Sequence, residues 1–189
     1  EHAYRYRVVA PDVTVNIYKA KFDVSSLKFE SLNFLYDGDS KNLQLQGDVP
    51  EFIKYEITGD EQTQIGEYTV KVHFIYNETN VELIADIEEK WYIVPSEYSV
   101  GNTIKLKIQS GTIEYGAIFE SQNIVDVSDD KFPKREKCLK GFDTGFYKNG
   151  SRIEFNGTVR IELLLDEDLR AESNLKLYSL TDGNLKQIE

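Results

Sequence analysis

Apolar residues recur at every second position along much of this chain, in runs of several residues. A β-strand turns successive side chains to opposite faces, so such alternation predicts strands with one buried face and one wet face. The clearest case is Tyr68, Val70, Val72 and Phe74, interleaved with Thr69, Lys71 and His73. The first four are expected in a core, together with Trp91 or its neighbour Tyr92, and the last three in solvent. Ile53/Tyr55/Ile57, Ile104/Leu106/Ile108, Val159/Ile161/Leu163 and Leu175/Leu177 read the same way, as do Val13, Val15 and Ile17 around Thr14 and Asn16. No window of comparable length carries an apolar stripe at helical spacing. Residues 129–139 alone suggest a turn or two of helix, with Asp129 or Asp130 as cap.

Between these runs stand Asp37-Gly38, Thr58-Gly59-Asp60, Ser110-Gly111, Asn149-Gly150, Asn156-Gly157 and Asp182-Gly183. Such pairs supply the positive φ angles that tight hairpins need, so all six are read as turns. Many short strands separated by turns predict an all-β chain built as a sandwich or a barrel. A boundary is expected at Pro95, where the strong strand ending at Val94 meets a residue without a donor N–H, and the alternation restarts at Ile104. A faint internal echo relates residues 8–17 to residues 83–93. If each copy ends a module, residues 1–18 are a strand or tail from an upstream repeat.

Within residues 19–95, Tyr36-Asp37-Gly38 is followed by Ile53-Lys54-Tyr55-Glu56-Ile57-Thr58-Gly59, then Gly66-Glu67-Tyr68-Thr69-Val70, then Lys90-Trp91-Tyr92-Ile93. In order and spacing this set resembles the MBG, or YDG-containing, immunoglobulin-like repeat of bacterial surface adhesins. Ile65 and Asn80-Val81 depart from that repeat's usual Ala and Asn-Tyr. Residues 96–189 resemble a different sandwich module that closes such arrays in Gram-positive surface proteins. The resemblance there rests on residues 145–153, residues 156–163 and Leu175-Lys176-Leu177-Tyr178 before Asp182-Gly183. The two resemblances imply two tandem immunoglobulin-like β-sandwich modules, 19–95 and 96–189, and the second resemblance implies one or two further strands after those in hand. They further imply an extracellular location at the cell surface or cell wall.

Composition narrows the partners. An apolar share of 40% and an aromatic share of 12% can fill a core, which argues against disorder despite the charge. A net charge of −11 repels phosphate backbones and anionic lipid heads, so nucleic acid and membrane surfaces are excluded as expected partners. No apolar run approaches the roughly 20 residues of a membrane-spanning helix. Methionine is absent, even from position 1, which suggests a segment cut from a longer precursor. The single cysteine, Cys138, cannot form an intrachain disulfide.

Candidate chemistry is sparse. His2 and His73 read as surface histidines, and Cys138, flanked by Lys137 and Lys140, reads as an incidental thiol. Asp37-Gly38-Asp39, Asp129-Asp130 and Asp166-Glu167-Asp168 carry oxygen ligands but lack the spacing of a dedicated calcium loop. No phosphate-binding loop, dinucleotide fingerprint, zinc-protease helix or nucleophile elbow occurs. The expectation is therefore no catalytic residue, no metal and no cofactor. Tyr4, Tyr6, Tyr92 and Tyr98 are the aromatics expected on the surface, where they would serve a protein or glycan ligand. The leading expectation is a non-catalytic adhesion or stalk segment whose partners are an unidentified protein or glycan and adjacent modules of the same protein. The alternative is an accessory carbohydrate-binding module of a secreted enzyme, which a planar row of exposed aromatics would favour.

Overall fold

The computed structural model describes residues 17–124, 140–164, 167–170, 175–181 and 184–188. Of these residues 56% lie in β-strands, and the only helical pieces are a 3-10 turn at Val24–Ser26 and a single α-turn, α1, at Glu167–Arg170. The chain is thus nearly all β. The expected helix at residues 129–139 and the expected strand at residues 13–17 fall outside the described residues, except that Ile17 itself lies in no strand.

The first part of the chain centres on a four-stranded sheet. Its strands are β2 (Asn33–Leu35), β8 (Ile87–Val94), β7 (Gly66–Ile75) and β5 (Lys54–Thr58), in that spatial order. β2 runs parallel to β8, and the other pairs are antiparallel. Two short ladders accompany the sheet, β1 (Lys28–Phe29) with β4 (Leu45–Gln46) and β3 (Lys41–Asn42) with β6 (Glu61–Gln62). The expected register of β7 is found: Val70, Val72 and Phe74 are buried, Tyr68 packs against them, and Thr69, Lys71 and His73 are exposed. Trp91, fully buried, and Ile93 extend this core on β8, and Leu27, Phe29 and Leu43 cover it from the β1–β4 side.

Residues beyond Val94 form two three-stranded sheets. One is β14 (Asn156–Leu163), β10 (Ile104–Thr112) and β9 (Glu97–Val100); the other is β11 (Ile118–Ile124), β12 (Gly141–Lys148) and β13 (Ser151–Ile153). Ile104, Leu106 and Ile108 on β10 meet Phe119 on β11 and Phe146 on β12 in a second hydrophobic cluster. A hairpin of β15 (Leu177–Thr181) and β16 (Asn184–Ile188) follows.

Turn chemistry was read correctly at some sites and wrongly at others. Asn149 and Gly150 both have positive φ, 52° and 77°, and close the β12–β13 hairpin as expected. Asp182-Gly183 lies outside the described residues. Thr58-Gly59-Asp60 does not close a hairpin; it carries the chain from β5 in the main sheet to β6 in a separate ladder. Ser110-Gly111 and Asn156-Gly157 are not turns at all. They face each other across the β10–β14 ladder, Gly111 opposite Gly157, beside a bulge between Ile108 and Ser110. Glycine serves there for backbone proximity: a Cβ on Gly111, at φ +97°, would sit 2.5 Å from the Asn156 carbonyl oxygen. Gly111→Ala is therefore expected to lower stability by about 3 kcal/mol, combining left-handed strain with displacement of β14. A urea midpoint equal to that of the parent would refute this account.

The expected restart at Ile104 is also corrected, because β9 begins at Glu97 and pairs with β10. Its alternation is weak in sequence since Glu97 and Ser99 hold its outer face, while Tyr98 and Val100 pack on the second cluster.

Val94 does not simply end the first unit of sequence pattern. Trp91 and Ile93 enter the first cluster, whereas Val94 is buried in the second and Tyr92 packs against it. Strand period two explains the division, since alternate side chains leave β8 on opposite faces. β2 repeats it: Phe34 packs on the first cluster and Leu35 on the second. The same junction is tied by polar contacts. The Asn33 side chain donates to the Ile113 carbonyl (3.2 Å), Ser96 Oγ donates to the Tyr36 carbonyl (2.6 Å), and the Tyr36 N–H donates to the Val94 carbonyl (2.9 Å).

Candidate functional site

The sequence candidates do not converge. His73 is exposed on β7, with Nδ1 3.0 Å from Asp86 Oδ1. Asp37 is engaged in its own turn: Oδ1 accepts the Asp39 N–H at 2.9 Å and Oδ2 pairs with Lys41 Nζ. These contacts, Lys41 foremost, hold the Asp37 carboxyl below its ordinary value. Its oxygens are thus committed to local structure rather than to a loop built around an ion. Lys140 Nζ lies 5.5 Å from the centre of the Phe142 ring. His2, Tyr4, Tyr6, Lys137, Cys138, Asp129, Asp130 and Asp166 lie outside the described residues. Glu167 is exposed on α1, which also contains Asp168. Among the described residues no group of three His, Cys, Asp or Glu side chains is placed to share a metal ion.

The two described surface tyrosines are corrected. Tyr92 is half-buried and stacks on Tyr115, with centroids 5.1 Å apart at 24°. Tyr98 is half-buried too and meets Phe146 edge to face at 5.2 Å; burial pushes its phenol pKa up. Both are drawn inward because their strands, β8 and β9, lie against the second cluster, which the local sequence does not announce. A flat aromatic platform gains nothing from either.

Two surfaces of the second half remain as candidates. The outer face of the β14–β10–β9 sheet has a shallow depression of about 290 Å³ lined by Glu97, Lys105, Lys107, Arg160 and Glu162. Its charges are largely matched across and along strands, Lys107 to Glu97 at 2.8 Å and Arg160 to Glu162 at 3.1 Å. Lys107 accordingly holds the Glu97 carboxyl below its ordinary value. Exposed pairs of this kind are worth little in stability and leave a near-neutral, solvated face.

The other surface is a cleft of about 640 Å³ between the sheets, where β14 faces β12 and β13. Leu106, Phe119, Phe146, Ile153, Phe155 and Ile161 give it an apolar lining, with Arg152 and Glu154 among the polar groups beside them. Its lining is gathered from β10, β11, β12, β13 and β14 and from the link between β13 and β14. Of the row Val159, Ile161 and Leu163 expected on the buried face of β14, Val159 and Leu163 pack on the second cluster and Ile161 is exposed in the cleft, which sequence reasoning missed because no local signal joins the five strands that line it. No family model matches this chain, and the searches of curated proteins and of solved structures also found no match.

Proposed function

We propose that this chain is a stalk or spacer segment of an extracellular bacterial surface protein, formed by two immunoglobulin-like modules in tandem and without catalytic activity. The observation that supports it most is the junction. β8 gives Trp91 and Ile93 to one cluster and Tyr92 and Val94 to the other, and Tyr115 stacks on Tyr92. A joint made of shared strand faces resists bending far better than a flexible linker would, and stiffness is the property a spacer needs. The alternative, an accessory carbohydrate-binding module, loses the aromatic support expected from Tyr92 and Tyr98.

Electron–electron resonance distances test the proposal. Nitroxides at Thr69→Cys and Thr158→Cys, in a Cys138→Ser background, sit on exposed strand positions of the two halves. One narrow distance distribution is expected, broadened by Tyr115→Ala. A broad distribution in the parent would overturn the stiff-spacer reading, and retention on a panel of immobilised glycans would favour the carbohydrate-binding one.

A further inference from the structure

We infer that the open cleft beside β14 accepts residues 13–17 of a second copy of this chain as an added strand. Among the described residues β14 pairs only with β10, so no described strand lies on its other edge, the kind of edge that accepts an added strand. Its inward row is incompletely covered. Val159, Ile161 and Leu163 lie opposite Ile108, Leu106 and Ile104, which are 1–3% exposed, yet Ile161 is 45% exposed. In front of that row lies the apolar cleft of about 640 Å³, lined among the described residues by Leu106, Phe119, Phe146, Ile153, Phe155 and Ile161.

The occupant is argued from pattern and from reach. Val13, Val15 and Ile17 carry apolar groups at the two-residue spacing of Val159, Ile161 and Leu163, so an added strand of this sequence would present all three on one face. Ile17 is 91% exposed, so it is not already committed to a core.

The donor must come from another molecule. Ala20 is bridged to Val81, Lys19 Nζ donates to the Glu78 carbonyl, and Phe22 packs on Phe74. Phe74 lies beyond the Val72–Ile87 pair, at the end of the main sheet remote from Val94. Ala20 is three positions after Ile17, a reach of about 10 Å, whereas the eight residues of β8 alone span about 26 Å at a strand's rise. Within one molecule the tether at Ala20 therefore holds Ile17 short of the cleft, and the added strand is assigned to a second copy. Donor and acceptor at opposite ends generate a head-to-tail, open-ended assembly held by β-augmentation. This holds whether or not the chain serves as a spacer.

Sedimentation velocity of the full chain over a wide concentration range is the test. The parent is expected to form an open series of oligomers. Val15→Glu removes the donor and Ile161→Glu the acceptor, so each variant alone is expected to be monomeric. An equimolar mixture retains one intact pairing and is expected to stop at a dimer. A parent that stays monomeric, a variant that assembles like the parent, or a mixture that fails to associate would each overturn the inference. A peptide of residues 8–18 provides a control that does not depend on the folding of either variant. It is expected to dissolve the parent's oligomers, while the same peptide carrying Val15→Glu is not; equal behaviour of the two peptides would also overturn it.

Discussion

Replacing Trp91 by alanine is expected to remove about 4 kcal/mol of stability, the upper range for a large core side chain. Trp91 is fully buried at the centre of the first cluster, edge-on to Phe34 at 5.9 Å and against Tyr68 at 5.2 Å. Its Nε1 also donates to the Gly59 carbonyl at 2.9 Å, which fixes the passage from β5 to β6. Truncation removes the packing, opens a cavity and leaves that carbonyl without its donor. Trp91→Phe keeps most of the volume and is expected to cost roughly half as much. Urea unfolding followed by far-UV circular dichroism reads both, and a loss below about 1 kcal/mol for Trp91→Ala would contradict the placement of this ring.

Phe146→Ala is expected to cost about 3.5 kcal/mol, because this ring joins the sheets of the second half. It is 5% exposed and touches Tyr98, Phe119 and Phe155 at centroid distances of 5.2, 5.5 and 5.3 Å. The informative readout is remote from the substitution. Trp91 is the only tryptophan, so its fluorescence reports the first cluster alone. Since Tyr92 and Val94 leave the same strand toward the second cluster, loosening that cluster is expected to lower the Trp91 unfolding midpoint as well. A fluorescence midpoint unmoved by Phe146→Ala would mean that the halves unfold independently.

What the sequence made legible was local and periodic. The alternation from Tyr68 to Phe74 set the register of β7, because one wet and one buried face leave a two-residue repeat no other reading. Asn149-Gly150 was legible for a similar reason, since few residue pairs tolerate two consecutive positive φ angles. Ser110-Gly111 and Asn156-Gly157 have the same composition as turns, yet their glycines answer to a neighbouring backbone that is distant in sequence. Tyr92 and Tyr98 were misplaced by the same gap. Their partners, Tyr115 and Phe146, are 23 and 48 residues away, and no spacing rule connects them. The cleft beside β14 was illegible because its lining is gathered from residues as far apart in sequence as Leu106 and Ile161, on strands of two different sheets.

The two-faced ending of β8 restricts how such a chain can be rearranged by recombination. A gene segment encoding the first half could not be joined freely to an unrelated successor. Leu35, Tyr92 and Val94 would then face water or a mismatched surface, and the successor would need its own counterparts of Ile113 and Tyr115. Neighbours along such a gene are therefore expected to be inherited as pairs, with duplication copying both halves together.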